Sequence, residues 1–222
     1  YPELRAIAAS TGRVLLAPTL GEMLRPHELT FGTVVGGTSG NAMVQHPEAS
    51  HVGGAVLHPD YTLPNQHHAR MLDRFGAWPP KRSPESGRIR HAADVLLGYL
   101  LPEVDPDVAL VWFPEPDTSQ HAAGVGSAPA LEALTAADAQ LERILTELSD
   151  RGVEPNVLAV SDHGYSTVAR RIQLEAAVRE AGFPPGIMPG GVTVAANGGA
   201  ALFYVRDSDA TVLEQLARCP LA

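Results

Sequence analysis

The feature that most constrains the fold is a series of short apolar runs, each followed by glycine, proline or aspartate, with helical patterns between them. Three such runs cover Phe31–Val35, Val108–Phe113 and Val157–Val160. Runs that are apolar at nearly every position are typical of strands buried on both faces of a sheet. Alternation of such strands with helices indicates a parallel sheet covered by helices. We therefore predict an α/β fold with a mostly parallel sheet and helices on both faces.

The clearest helical pattern lies between the second and third runs. Ser127 is a suitable N-cap, Pro129 falls in the first turn and Gly152 provides a stop. Leucines recur between them at helical spacing, at Leu131, Leu134, Leu141, Leu145 and Leu148. Strand, helix and strand form a right-handed crossover, which brings the carboxyl ends of both strands to one edge of the sheet. A second helix is predicted over about 88–101, with His91 facing solvent.

The rest of the chain gives weaker patterns. Residues 41–86 are rich in proline and histidine, and we interpret them as a loop-rich insertion with one short helix near 68–75. Near the end, Asn197-Gly198-Gly199 separates two apolar runs, and Asn-Gly favours a tight hairpin turn. The expectation is a single α/β catalytic-domain fragment over residues 1–222.

Charge and composition exclude some classes of protein. The chain has 25 acidic and 16 basic residues, a formal net charge of −9, which argues against binding of a nucleic-acid duplex. The only basic run, from Lys81 to Arg90, is interpreted as a solvated loop. Cys219 is the only cysteine, so no disulfide forms within the chain. No apolar stretch approaches the roughly 18 residues of a membrane span.

Two polar clusters follow the second and third runs. Glu115, Asp117 and His121 follow one strand, and Asp162-His163 follows the other. Carboxylate with neutral imidazole suits zinc, manganese or iron. Two Asp/His pairs on one edge could hold two divalent ions about 4 Å apart, an arrangement used in phosphoryl transfer. Taken singly, Asp117 is equally well explained as a helix cap or turn former, a histidine such as His121 is more often a surface residue than a ligand, and Asp162-His163 could be part of a turn. The occurrence of two such pairs at matching positions favours a site.

These residues resemble the nucleotide pyrophosphatase/phosphodiesterase branch of the alkaline phosphatase superfamily. The resemblance rests on Val111-Trp112-Phe113-Pro114-Glu115-Pro116-Asp117, then His121, then Asn156 to Gly164. It implies a metal-dependent hydrolase of phosphodiester or pyrophosphate bonds, acting on a small phosphate ester or nucleotide. It also implies two divalent ions, usually zinc, with Asp117 and His121 as ligands of one and Asp162 and His163 as ligands of the other.

The sequence departs from this family in several respects. Gln120 stands where glycine is common, and Tyr165 stands where methionine is common. The family's nucleophilic threonine or serine and a further aspartate ligand precede the region matched from Pro18 onward, and its last histidine ligand follows His163, the final histidine here. We therefore expect the nucleophile before Tyr1, an alkaline-phosphatase-like fold truncated at both ends, incomplete metal sites and an inactive fragment.

Several alternatives stay open at this point. A non-catalytic α/β binding module could use the same Asp/His edge for structure, and a phosphomutase or phosphonate hydrolase could share the metal motif. Residues 36–40 lack the lysine of a phosphate-binding loop, so a tight turn explains them better. Asp138 lies on the leucine stripe and needs a structural partner. The sequence leaves the substrate, the metal, the oligomeric state and a cytoplasmic or exported location undetermined.

Overall fold

The computed structural model describes residues 2–219, which fall into two units. The first unit ends at Ser166 and the second begins at Thr167. Each unit has its own apolar core. Every residue predicted as a site residue belongs to the first unit, and the expectation of a single domain over residues 1–222 stays a prediction.

A four-stranded mixed sheet forms the centre of the first unit. Its strands are β1 (Phe31–Val35), β2 (Ala55–His58), β3 (Tyr61–Leu63) and β4 (Val108–Trp112), in the order β3-β2-β1-β4. β1 is parallel to β2 and β4, with Val34 opposite Leu57 and Val35 opposite Trp112. β3 is antiparallel to β2. The first two predicted strands are confirmed, and the carboxyl ends of β1 and β4 lie at the same edge.

Helices cover both faces of this sheet. They are α1 (Pro2–Thr11), α2 (Leu20–Leu24), α3 (Ser39–Gln45), α4 (Ala49–Val52), α5 (Gln66–Phe75), α6 (Ser86–Val95), α7 (Asp117–Ala123) and α8 (Ala128–Asp150), with a 3-10 turn at Arg25–His27. Val34 belongs to a core cluster with Ala92 and Ile144, from α6 and α8. The next residue, Val35, belongs to a cluster with Ala42, from α3. Successive strand residues point to opposite faces, so the predicted α/β fold with helices on both faces is confirmed.

α6 continues without a break into a π-helical segment, Leu96–Val104. Pro102 lies inside this segment, and its missing N–H removes one bond of the usual helical ladder. The predicted second helix is confirmed, although it begins earlier and ends later than expected. His91 is buried on α6, so the expectation that it faces solvent is wrong.

α8 begins and ends where its signals predict. The hydroxyl of Ser127 accepts the N–H of Ala130, and Gly152 after the helix has a φ of +73°. The residues that α8 buries, however, are Ala130, Ala133 and Ile144 rather than the leucine stripe. Leu131 and Leu134 are exposed, so they do not face the core. Asp138 is exposed as well, so it needs no buried partner.

The third predicted strand, Val157–Val160, is absent. These residues are neither helix nor strand, and the side chains of Leu158 and Val160 are 90% and 86% exposed. A run of four apolar residues does not specify a strand unless it finds hydrogen-bonding partners. β4 is consequently an edge strand within residues 2–219, with Val108 exposed, and not the central strand that its composition predicted.

Residues 41–86 contain more regular structure than predicted. Besides the expected helix, which is α5, they include β2 and β3. β2 is fully buried next to β1, so part of the segment interpreted as an insertion belongs to the sheet.

The second unit contains a hairpin and helices. Its elements are α9 (Leu174–Glu180), β5 (Val192–Asn197), β6 (Ala200–Val205), a 3-10 turn at Arg206–Ser208 and α10 (Ala210–Arg218). β5 and β6 pair antiparallel, and Gly198 in their turn has a φ of +58°, so the predicted hairpin is confirmed. Val178, Phe183 and Leu216 form the core of this unit. None of the helices described here, over residues 2–219, has the length and apolar character needed to cross a membrane.

Candidate functional site

The first polar cluster lies at the carboxyl end of β4, at the start of α7. Asp117 is the first residue of α7 and His121 is one turn later, so both side chains lie on the same face of the helix. Nε2 of His121 is 3.6 Å from Oδ1 of Asp117. The side chain of His121 is largely exposed and that of Asp117 is about half exposed. The pair therefore forms an open, accessible cluster.

The second polar cluster comes to the same place. Nε2 of His163 is 3.5 Å from Oδ1 of Asp117 and 3.8 Å from Oδ2 of Asp162. Asp162 also accepts the backbone N–H of His163. The structure thus brings the four predicted residues together, although the strand expected to deliver Asp162 and His163 is not formed.

The donor types and two of the spacings suit a metal ion. Two ligands at about 2.0–2.1 Å from a tetrahedral zinc ion are roughly 3.4 Å apart. The distances from Asp117 to His121 and to His163 are close to that value. Over residues 2–219, however, no group of three or more His, Cys, Asp or Glu side chains is arranged to hold one ion. The four residues therefore supply fitting donors in pairs, not a complete coordination shell.

Tyr165 connects the two clusters. Its hydroxyl donates a hydrogen bond to Oδ1 of Asp117, and its ring lies 5.1 Å from the His121 ring and 5.2 Å from the His163 ring. Burial raises the pKa of Tyr165, and the hydrogen bond and charge of Asp117 raise it further, so the phenol stays a protonated donor. Sequence reasoning noted Tyr165 only as a departure from methionine and gave it no role.

A buried carboxylate anchors the start of α7. Glu115 accepts the backbone N–H of Glu85 at 2.8 Å, and the backbone N–H and hydroxyl of Ser119, both at 2.9 Å. Glu115 and Ser119 are both buried. Charge-assisted hydrogen bonds of this kind are stronger than neutral ones. The turn that precedes Asp117 is therefore held to the start of α6 by the hydrogen bond between Glu85 and Glu115.

Arg88 extends this anchor to the end of β1. Its guanidinium donates to the carbonyl oxygens of Pro79 at 2.9 Å and Gly36 at 3.0 Å. Its Nε is 2.8 Å from Oε2 of Glu85, a buried ion pair in which the N–H points too far off line for a hydrogen bond. Burial raises the pKa of Glu85, and the charge of Arg88 opposes that rise. The interpretation of residues 81–90 as a solvated loop is wrong for Arg88, which is buried, and for Arg90, which is exposed but lies on α6.

Neither Glu115 nor Arg88 was assigned a role from the sequence. Their partners lie far away along the chain, so no local pattern identifies them. The one available signal is the position of Glu115, a carboxylate directly after an apolar strand and two residues before Asp117. We define the buried network as Glu85, Arg88, Glu115 and Ser119.

Comparison with known proteins gives one match. The model of the type I phosphodiesterase / nucleotide pyrophosphatase family matches residues 33–219, most of the chain and both polar clusters. No curated protein and no solved structure matches. The family supports a phosphodiester hydrolase function in general terms. On this match, which agrees with the α/β fold and with the resemblance of the two motifs, the chain belongs to the type I phosphodiesterase / nucleotide pyrophosphatase family, within the alkaline phosphatase superfamily.

Proposed function

We propose that this protein is a metal-dependent hydrolase of phosphodiester or pyrophosphate bonds whose metal ligands include Asp117, His121, Asp162 and His163. The observation that carries the proposal is the 3.5 Å distance between Nε2 of His163 and Oδ1 of Asp117. These two residues come from different segments, and each segment brings its own Asp/His pair. A structural role alone does not require two such pairs to meet at an exposed surface.

Asp117 and His121 hold one divalent ion in this proposal, and Asp162 and His163 hold the other. The mixture of carboxylate and imidazole suits zinc and lacks the soft ligands that select copper. Divalent ions at such a site polarise a phosphoryl oxygen and lower the pKa of bound water. The family implies a small phosphate ester or a nucleotide as the substrate. The net charge of −9 disfavours binding of a nucleic-acid duplex.

The surrounding residues position these ligands. Tyr165 donates to Asp117 and contacts both histidine rings, so it fixes the carboxylate between them. The buried network fixes the backbone at the start of α7 through Glu115 and Ser119. Partners of this kind orient metal ligands, and their loss typically lowers metal affinity by about 10- to 100-fold.

No residue of these 222 is assigned as the nucleophile. The resemblance implies a threonine or serine and two further ligands at positions that residues 1–222 do not match. We therefore expect residues 1–222 by themselves to bind divalent metal without turning over a phosphodiester.

Zinc titration by calorimetry tests the metal site. Wild-type protein is compared with Asp117→Asn, which keeps the side-chain shape but weakens a ligand, and with Asp138→Asn as a matched control on the exposed side of α8. We expect Asp117→Asn to lower zinc affinity at least tenfold and Asp138→Asn to leave it unchanged. Absence of zinc and manganese binding by the wild type would contradict the proposal and favour a non-catalytic α/β module.

A further inference from the structure

Two pairs of adjacent basic residues lie in irregular parts of the chain. Lys81-Arg82 precedes α6, and Arg170-Arg171 precedes α9. All four residues are exposed. No carboxylate in residues 2–219 lies within ion-pair distance of any of them. Both pairs therefore offer two accessible positive charges, and they differ in the backbone that carries them.

The backbone around Arg170-Arg171 has no regular structure. Residues 163–173 belong to neither helix nor strand. In the described part of the chain, no hydrogen bond of backbone or side chain involves residues 166–172. Val168 and Ile172, on either side of the pair, are 66% and 43% exposed. The segment is therefore accessible on both sides of the two arginines, and nothing in residues 2–219 prevents it from extending.

The backbone around Lys81-Arg82, in contrast, is held on both sides. Arg88 donates a hydrogen bond to the carbonyl oxygen of Pro79 at 2.9 Å. The hydroxyl of Ser83 is hydrogen-bonded to that of Ser119 at 3.3 Å. Three prolines lie within two residues of the pair, namely Pro79, Pro80 and Pro84. This segment is therefore fixed to the protein and is restricted by its own prolines.

This difference matters for recognition by a protease. An extended segment binds a partner through main-chain hydrogen bonds, and proline lacks the N–H that such binding uses. Exposed irregular segments are the preferred sites of proteolytic cleavage. Two adjacent basic side chains fit a protease whose pockets carry carboxylates. Of the two basic pairs, only Arg170-Arg171 combines this charge with an unrestricted backbone.

Cleavage after Arg171 would break no apolar core. The core clusters of the first unit include no residue after Leu148, and the cluster of the second unit includes none before Val178. α9 begins at Leu174, three residues after Arg171. Each unit therefore keeps its own apolar contacts when this peptide bond is cut.

We propose that Arg170-Arg171 is a proteolytic processing site, cut after Arg171 by a serine protease that recognises two consecutive basic residues. Water hydrolyses the peptide bond between Arg171 and Ile172, which leaves a carboxylate on Arg171 and an amino group on Ile172. The site uses none of the four proposed metal ligands, so it is independent of the proposed hydrolase activity.

The test is digestion of the whole folded protein by a kexin-type protease, which requires two consecutive basic residues, with the fragments identified by mass spectrometry. We expect the first cut after Arg171, which gives fragments 1–171 and 172–222. Peptides covering residues 76–87 and 165–176 measure the rates that sequence alone allows. The preference for Arg171 over Arg82 should be at least tenfold greater in the folded protein than between the peptides. A first cut after Arg82, an equal preference in protein and peptides, or no cut at all would overturn the proposal.

Variants locate the recognition. Arg171→Gln is expected to abolish the cut, and Arg170→Gln to slow it at least tenfold. Arg179→Gln on α9 removes another exposed arginine, one without a basic neighbour, and serves as the matched control with an unchanged rate. These substitutions remove exposed charges without ion pairs in residues 2–219, so the fold is retained. Equal rates of cleavage in wild type and Arg170→Gln would overturn recognition of the pair.

Discussion

The segments that carry Asp117 and Asp162 both follow apolar runs, yet the protein holds them in different ways. Asp117 begins a helix whose first turn is tied to the protein interior through Glu115 and Ser119. Asp162 follows residues 157–160, which are exposed and belong to neither helix nor strand. The hydrogen bond of Tyr165 to Asp117 joins the second segment to the first. The Asp117 segment is therefore the anchored half of the site, because buried hydrogen bonds hold it. The Asp162 segment is the attached half, because the Tyr165 hydrogen bond joins it to the first.

The largest expected effect comes from breaking the buried network. Arg88→Met leaves the buried carboxylate of Glu85 without its cation and removes donors from two carbonyl oxygens. Loss of one partner from a buried ion pair costs about 3–5 kcal/mol. The free energy of unfolding in urea measures this loss. Arg74→Met, which disrupts an exposed pair with Glu103, is the matched control and should cost less than about 1 kcal/mol. Equal losses of unfolding free energy in Arg88→Met and Arg74→Met would show that the buried network does not anchor the start of α7.

The next largest effect is expected from a pair of substitutions, one in each half of the site, that compares their contributions to the free energy of unfolding. Glu115→Gln weakens the acceptor for three donors and is expected to lower the free energy of unfolding by about 1–3 kcal/mol. Asp162→Asn makes the same chemical change in the attached half, where the side chain is about half exposed, and should stay within about 0.5 kcal/mol of wild type. Urea unfolding without metal checks both variants. A larger loss in Asp162→Asn than in Glu115→Gln would reverse the comparison.

The local parts of this structure could be predicted from the sequence, and the contacts between distant segments could not. Ser127, Gly152 and the Asn197-Gly198 turn act through their own neighbours, so the limits of α8 and the hairpin followed from pattern. The two Asp/His motifs could be found because each follows an apolar run. Their role as metal ligands stays a prediction.

What the sequence missed depends on tertiary partners. Glu115 bonds with Glu85, and Arg88 bonds with Gly36, pairings between segments that no periodicity reveals. The Val157–Val160 prediction is wrong because an apolar run forms a strand only when another strand pairs with it. Tyr165 carried a signal, a tyrosine in place of methionine, but its contact with Asp117 needed the fold.

A smaller effect is expected where the two halves are joined. Tyr165→Phe keeps the ring between His121 and His163 but removes the hydroxyl that donates to Asp117. We expect zinc affinity to fall about tenfold, which corresponds to about 1.4 kcal/mol. Calorimetric zinc titration provides the measurement, with Tyr204→Phe in the second unit as a control. Unchanged or tighter zinc binding by Tyr165→Phe would mean that the phenol does not position Asp117.

Lowering the pH is expected to reduce the free energy of unfolding of the first unit gradually. Burial lowers the pKa of four histidines, His46, His58, His67 and His91. Below about pH 6.5 the unfolded chain binds more protons than the folded one, so their contribution to stability is present above that pH and is lost as the pH falls. Glu85 acts in the opposite direction, because burial raises its pKa.

Urea unfolding in EDTA at pH 7.5 and 5.5 measures this dependence. We expect a lower free energy of unfolding at pH 5.5, and a smaller difference between the two pH values in His58→Gln. A free energy that rises on acidification would show that Glu85 outweighs the four histidines.

The most direct test of the central claim, that the two segments build two adjoining ion sites that depend on each other, is a double-mutant cycle on zinc affinity. Wild type, Asp117→Asn, His163→Ala and the double variant are titrated with zinc by calorimetry under identical conditions. Residues that share a site show coupling of more than about 0.5 kcal/mol, so the loss in the double variant should differ clearly from the sum of the single losses. Strictly additive losses would mean that the two ion sites do not depend on each other, and no loss in either single variant would mean that Asp117 and His163 are not ligands.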